Sequence, residues 1–294
     1  MVRDFSSDPP FEVLTPDEIR VPFLFNSPHS GTGYPQSFLD ASRLDGRRIR
    51  RSEDSFVDEL FGSVPAHGAP LMRANFPRAY LDVNREPYEL DPKMFTGRLP
   101  AYANVRSLRV AGGLGTIARI VAEQEEIYAR PLEVDEALER IEGIYKPYHA
   151  ALRKMLARLH VSFGYAVLVD CHSMPSVIRG LDQRSRPDIV LGDRYGTSCW
   201  SGLVDSAVEI LTGLGYAVAR NKPYAGGFIT EHYGRPGKGL HALQIEINRA
   251  LYMNEDTYEP HAGFGRLAAD LSTFVGEIVQ LGASGFRSTA LAAE

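Results

Sequence analysis

Three short stretches of the 294-residue chain deliver residues able to bind a metal or move a proton. "FLFNSPHSG" carries His29, "AVLVDCHS" carries Asp170, His172 and Ser173, and "ALQIEINRALY" carries Gln244, Glu246, Asn248 and Arg249. Two histidines at the ends of separate apolar runs suit a catalytic zinc, which favours two histidines and a carboxylate and keeps one position open for water. His29 alone reads equally well as a turn residue. Asp170 and His172, at i and i+2, share one face of a strand. There the aspartate is either the acceptor that orients a ligating imidazole or the partner of a core histidine. Glu246 interrupts an otherwise buried-looking strand, so it is either a general base beside a metal-activated water or the ion-pair partner of Arg249.

A third, acidic ligand has to come from elsewhere. "RSEDSFVDELF" (51–61) offers Glu53, Asp54 and Asp58. The spacing of Phe56, Val57, Leu60 and Phe61 predicts a helix capped by Ser52, with Glu53 and Asp54 in its first turn. The helix dipole alone would then account for these acids. "LDVNRE" sets Asn84 and Arg85 just after an apolar run. Arg85 is suited to hold a substrate carboxylate through two parallel hydrogen bonds, and equally to pair with Glu86 or Asp82.

Apolar runs read as strands at 21–27, 69–74, 78–84, 165–172, 187–193, 216–221 and 241–248, several of them continuous, as for strands covered on both faces. Helical patterns fall at about 47–63, 198–213 and 260–281. The clearest stripe runs from Val134 to Leu159, and Pro147 is expected to kink or divide it. Strands alternating with helices predict one α/β domain over 1–294 with a mixed, mostly parallel central sheet flanked by helices. A polar extension is expected at 1–18, a lid or loop excursion at 86–115 and a flexible tail at 283–294. Catalytic groups are expected at the carboxyl ends of three strands, which would deliver His29, the Asn84–Arg85 pair, and His172.

Two glycine-rich patterns carry less. "GGLGTIA" (112–118) has dinucleotide-loop spacing but no strand–turn–helix context, and "YAGGFITEHYGRPGKG" (224–239) lacks phosphate-loop spacing and reads as a flexible substrate loop. A formal net charge of −5 argues against a nucleic-acid partner. The beginning of the chain lacks the apolar core of a signal peptide, and no apolar run is long enough for a membrane span. The two cysteines, Cys171 and Cys199, fit a reducing compartment. A cytoplasmic monomer or small homo-oligomer is expected.

Taken in order, "SPHSG", "EDSFVDELF", "FPRAYLDVNR", "VLVDCHSMPS", "PDIVLGD" and "ALQIEINRALYM" resemble the N-formylglutamate amidohydrolase family over about residues 20–255. The resemblance implies a zinc-carboxypeptidase-like fold, similar also to succinylglutamate desuccinylases. It implies one Zn2+ per chain, His29 and His172 as ligands, Glu246 as general base, and Asn84 and Arg85 at the substrate carboxylate. Arg78 or Arg249 would hold a second carboxylate, with Asp170 and Ser173 behind the metal. The carboxypeptidase-like relatives place the acidic ligand three residues after the first histidine, where this chain has Thr32. The "SED" segment is the natural supplier, and the family's D-x-x-V-D pattern favours Asp54, with Glu53 as the alternative.

The activity so implied is hydrolysis of the amide of N-formyl-L-glutamate to formate and L-glutamate, with a metal-bound water as nucleophile. The competing expectations are a deacylase for another N-acyl amino acid, a peptidase-like metallohydrolase, or a non-catalytic binder of an acidic metabolite.

Overall fold

The apolar runs at 21–27, 165–172, 187–193 and 241–248 become strands buried along nearly all their length. The computed structural model describes residues 9–121, 125–177 and 186–291, with side chains described as far as residue 281. The strands in chain order are β1 (Phe11–Leu14), β2 (Phe23–Ser27), β3 (Leu71–Ala74), β4 (Phe95–Thr96), β5 (Leu132–Glu133), β6 (Ala166–Met174), β7 (Ile189–Gly192), β8 (Val218–Arg220), β9 (Leu240–Asn248), β10 (Met253–Asn254) and β11 (Glu259–Pro260). Seven of them form one sheet in the order β1-β3-β2-β6-β9-β7-β8. In it β2 with β6, β6 with β9 and β7 with β8 pair parallel, while β7 with β9 pair antiparallel. This is the expected mixed, mostly parallel α/β sheet. Its register sets polar residues of neighbouring strands side by side: Asn26 lies opposite Asp170, Asp170 opposite Gln244, and His172 opposite Glu246.

Two compact units emerge from the packing. One is built mainly of Pro28–Ser55 and Arg73–Lys154, the other of Val13–Ser27, Phe56–Met72 and Met155–Glu294. The core of the second joins Phe23, Phe25, Val167, Val169, Ile245 and Ile247 of the sheet to Leu203, Val204 and Ala207 on helix Ser201–Gly213. Leu271, Phe274, Val275 and Ile278 on helix Gly263–Leu291 complete it. Each such side chain contributes about 1.5–3 kcal/mol on burial, so this core dominates the stability of that unit. Helix Gly263–Leu291 continues into the segment 283–294 read as a tail, and residues 292–294 lie outside the described residues. Of the extension read at 1–18, residues 1–8 also lie outside them, while Phe11–Leu14 forms an edge strand of the sheet.

In the first unit, an aromatic cluster of Phe38, Tyr80 and Tyr128 surrounds the guanidinium of Arg140, which lies 4.0 Å from the Tyr80 ring centroid. The stripe starting at Val134 is helical as expected, and it is divided just before Pro147. Helix Val134–Arg140 passes through a π-turn, Ile141–Tyr145, into helix Lys146–Phe163. The proline has no N–H for the carbonyl four residues back at Gly143, and the wider turn relieves the clash its ring would make there.

Two sequence expectations are corrected. The run 78–84 is not a strand: it turns at Pro77, whose carbonyl accepts from the N–H groups of Tyr80 and Leu81. The carbonyls of this run and of Arg85 just after it are taken by one helical run, Tyr80 O by Arg140 (3.1 Å), Val83 O by His149 (2.9 Å) and Arg85 O by Tyr145 (2.6 Å). Asn84 and Arg85 therefore stand on a strapped loop and not at a strand end. The helix expected over 47–63 is also divided. A 3-10 turn, Arg48–Ser52, gives way to extended backbone at Glu53, a left-handed Phe56 (φ 66) and a short helix, Val57–Leu60. The Asp54 N–H donates to His29 O at 3.0 Å, which draws the chain out of the helix. Glu53 and Asp54 precede the helix, so its dipole does not explain them.

Candidate functional site

In the first unit, His29 lies two residues beyond β2 and is buried. The glycine two residues after it is required by close approach: a Cβ on Gly31 would fall 2.2 Å from the Phe76 carbonyl oxygen, while the Gly33 N–H bonds Asn75 O at 2.9 Å. The "HSGTG" loop is thereby pressed onto residues 75–76, which fixes His29. Its Nε2 lies 2.9 Å from Asp82 Oδ1 and its Nδ1 lies 3.3 Å from Asp54 Oδ2.

Asp82 is the group that sequence reasoning placed only as a partner for Arg85. It sits at the first position of the "DVNR" segment, the one signal that could have pointed to it. Oδ1 also accepts the Asn84 N–H at 2.8 Å, and Oδ2 faces Arg78 Nη2 at 2.8 Å and Arg85 Nη2 at 3.3 Å. Burial opposes its charge, but Arg85, Arg78 and His29 together outweigh that cost and hold the carboxyl well below the usual carboxylate range. In the tautomer in which a neutral imidazole donates Nε2–H to an ionised Asp82, the Nδ1 lone pair is turned toward Asp54, and two electron-pair donors face one point. That donor set fits a cation.

Glu53 is turned elsewhere. Its carboxylate takes the Tyr34 hydroxyl, Arg50 Nε at 3.0 Å and the Ser55 hydroxyl at 3.0 Å, and burial raises its pKa. Asp54 is the acid of this pair that faces His29. Arg85 also donates Nε to Leu114 O and Nη1 to Asn84 O, each at 2.7 Å. Two guanidinium groups share one Asp82 oxygen.

Replacing Asp82 by alanine strands these arginines, one of them still 23% exposed. The variant is expected to lose about 3 kcal/mol, the low end for a broken buried pair, read as a lower urea midpoint at an unchanged slope.

In the second unit, β6 carries Asp170 and His172 on one face. Asp170 Oδ2 lies 2.8 Å from His172 Nε2, and its Oδ1 accepts Asn26 Nδ2 at 2.7 Å from the neighbouring strand β2. The asparagine fixes the carboxylate, the carboxylate fixes the ring, and Nδ1 of His172 is the nitrogen turned away from Asp170. On the next strand, β9, Gln244 Nε2 donates to Glu246 Oε1 at 2.9 Å, and both side chains are buried. Ser173 Oγ accepts Arg249 Nε at 3.0 Å. The cysteines offer no nucleophile. Both are buried and free of disulfides, burial pushes the Cys171 thiol well above its ordinary range, and that of Cys199 is pushed up to about 12.

Comparison with known proteins gives consistent matches. The sequence model described as N-formylglutamate amidohydrolase matches residues 21–253. The chain is 31% identical over 247 residues to the N-formylglutamate deformylase of Pseudomonas putida, covering 83% of this chain and 86% of that one. It is 28% identical over 272 residues to the N-formylglutamate deformylase of Pseudomonas aeruginosa, covering 92% and 95%. The crystal structure of an N-formylglutamate amidohydrolase from Ralstonia eutropha superposes with a TM-score of 0.86 at 38% identity, over 92% of this chain and 97% of that one.

Proposed function

Because this chain belongs to the N-formylglutamate amidohydrolase family, we propose that it hydrolyses N-formyl-L-glutamate to formate and L-glutamate. Zinc would be held by His29, Asp54 and His172, and Glu246 would act as general base. One observation carries the metal assignment. In the first unit two buried ligand atoms, His29 Nδ1 and Asp54 Oδ2, lie 3.3 Å apart and face one point. A zinc ion bound by them would lower the pKa of a water to about 7 and polarise the formyl carbonyl.

The protein's own groups supply the rest. Asp82 and Asp170 each accept from the Nε2 of one histidine and hold both imidazoles in the same tautomer, Nδ1 available. Glu246 takes a proton from the attacking water and returns it to the amide nitrogen as the C–N bond breaks. The water oxygen stays on the formyl carbon, giving formate, and the amine leaves on glutamate. Arg85 and Arg78, with Asn84, would receive one substrate carboxylate, and Arg249 is the candidate for the other. Local cations of this kind are needed to draw a dianion to a chain whose net charge is −5.

The test is a substrate panel on zinc-loaded protein, with formate and free glutamate as readouts. Equimolar release of both from N-formyl-L-glutamate, well above that from N-acetyl-L-glutamate, is the expected result. Turnover of other N-acyl amino acids with none of the formyl compound would sink the assignment. Among the described residues no helix is long and apolar enough to cross a membrane.

A further inference from the structure

Behind Glu246 lies a short relay that the proposed reaction does not use. Gln244 is two residues earlier on the same face of β9 and is buried. Its Oε1 accepts the backbone N–H of Gly227 at 2.7 Å, and its Nε2 donates to Glu246 Oε1 at 2.9 Å. Gly227 belongs to the segment read from sequence as a flexible substrate loop. That segment is held against the end of β7: a Cβ on Gly192 would lie 2.7 Å from Ala225 C and Gly226 N, and Gly226 itself has φ 116, a conformation that only glycine adopts readily.

We propose that Gln244 is a positioning residue, whose amide fixes the orientation of Glu246 and ties it to the glycine segment at 225–227. The proposal rests on Glu246 being the general base. The chemistry of the amide is specific. A backbone N–H can only donate, so the carbonyl end of Gln244 must face Gly227 and the amide cannot flip. Its other end is then an obligate donor, aimed at the carboxylate. Glu246 is thus held as an acceptor, with Oε1 engaged and the carboxylate plane set. No other uncharged side chain of this length offers an acceptor at one end and a donor at the other. A glutamate at 244 would keep the acceptor for Gly227 and lose the donor, and a methionine would lose both.

The experiment compares wild type, Gln244→Met, Gln244→Glu, Glu246→Gln and the double variant Gln244→Met/Glu246→Gln as zinc-loaded enzymes. It measures kcat and KM for N-formyl-L-glutamate, bound zinc and thermal midpoint. Both single variants at 244 are expected to lose roughly tenfold or more in kcat, with KM within about twofold and zinc retained. Adding Gln244→Met to Glu246→Gln should cost little more, since the residue being positioned is already disabled. Wild-type kcat in Gln244→Glu would mean that only the loop anchor matters and would overturn the proposal, as would full additivity in the double variant. A wild-type enzyme that releases no formate, or a Glu246→Gln enzyme as fast as wild type, would instead overturn the reading beneath it, and the proposal with it.

Discussion

His29→Ala is expected to lose bound zinc and to lower kcat/KM for N-formyl-L-glutamate by on the order of 10³-fold or more. The imidazole is one of three ligand groups proposed, and the loop that carries it has no substitute within reach: Thr32, three residues on, is a poor zinc ligand. The change also leaves the buried Asp54 and Asp82 carboxylates facing each other across the space the ring filled. Treating wild type with a strong chelator should produce the same loss. Added zinc should restore the chelated wild type and not the variant, which separates loss of the ion from damage to the fold. Full activity in protein shown by elemental analysis to be metal-free would be the decisive result against a metal mechanism.

Glu246→Gln is expected to lower kcat by about 10²–10⁴-fold, the usual contribution of a general base, with zinc content unchanged. The amide keeps the size and much of the hydrogen bonding of the carboxylate but cannot accept the proton. Because Glu246 is not among the three proposed ligands, metal content and activity should separate here, whereas in His29→Ala they fall together. A variant with KM raised and kcat intact would assign Glu246 to substrate binding instead.

The buried strands, their mostly parallel pairing and the long helices at 134–163 and from 263 onward were legible because continuous apolar runs and a 3.6-residue stripe survive in a single sequence. The i, i+2 spacing of Asp170 and His172 likewise implied their shared face. What failed has a common cause. "RAYLDVN" is apolar enough for a strand, yet its carbonyls and that of the next residue, Arg85, bond side chains from residues 140, 145 and 149, contacts at separations of about 60 residues that no local pattern reveals. The "SEDSF" segment has helical spacing, yet the Asp54 N–H goes to His29 O, 25 residues away in the chain. Asp82 was overlooked for the same reason, because its importance lies in which imidazole it meets.

The π-turn at Ile141–Tyr145 acts as a phase adjuster. The residues that strap the 80–85 loop are spaced five and then four apart, at 140, 145 and 149, whereas a regular α-helix returns to one face after 3.6. The wider turn keeps all three on the side of the loop that presents Asp82, where they meet the carbonyls of Tyr80, Arg85 and Val83. Winding the same residues into a regular α-helix would carry Tyr145 about 140° around the axis from Arg140, because five residues at 3.6 per turn overshoot one turn by that much. A change that improves local helical regularity would so unfasten the carboxylate beneath His29, although it removes none of the residues that touch it.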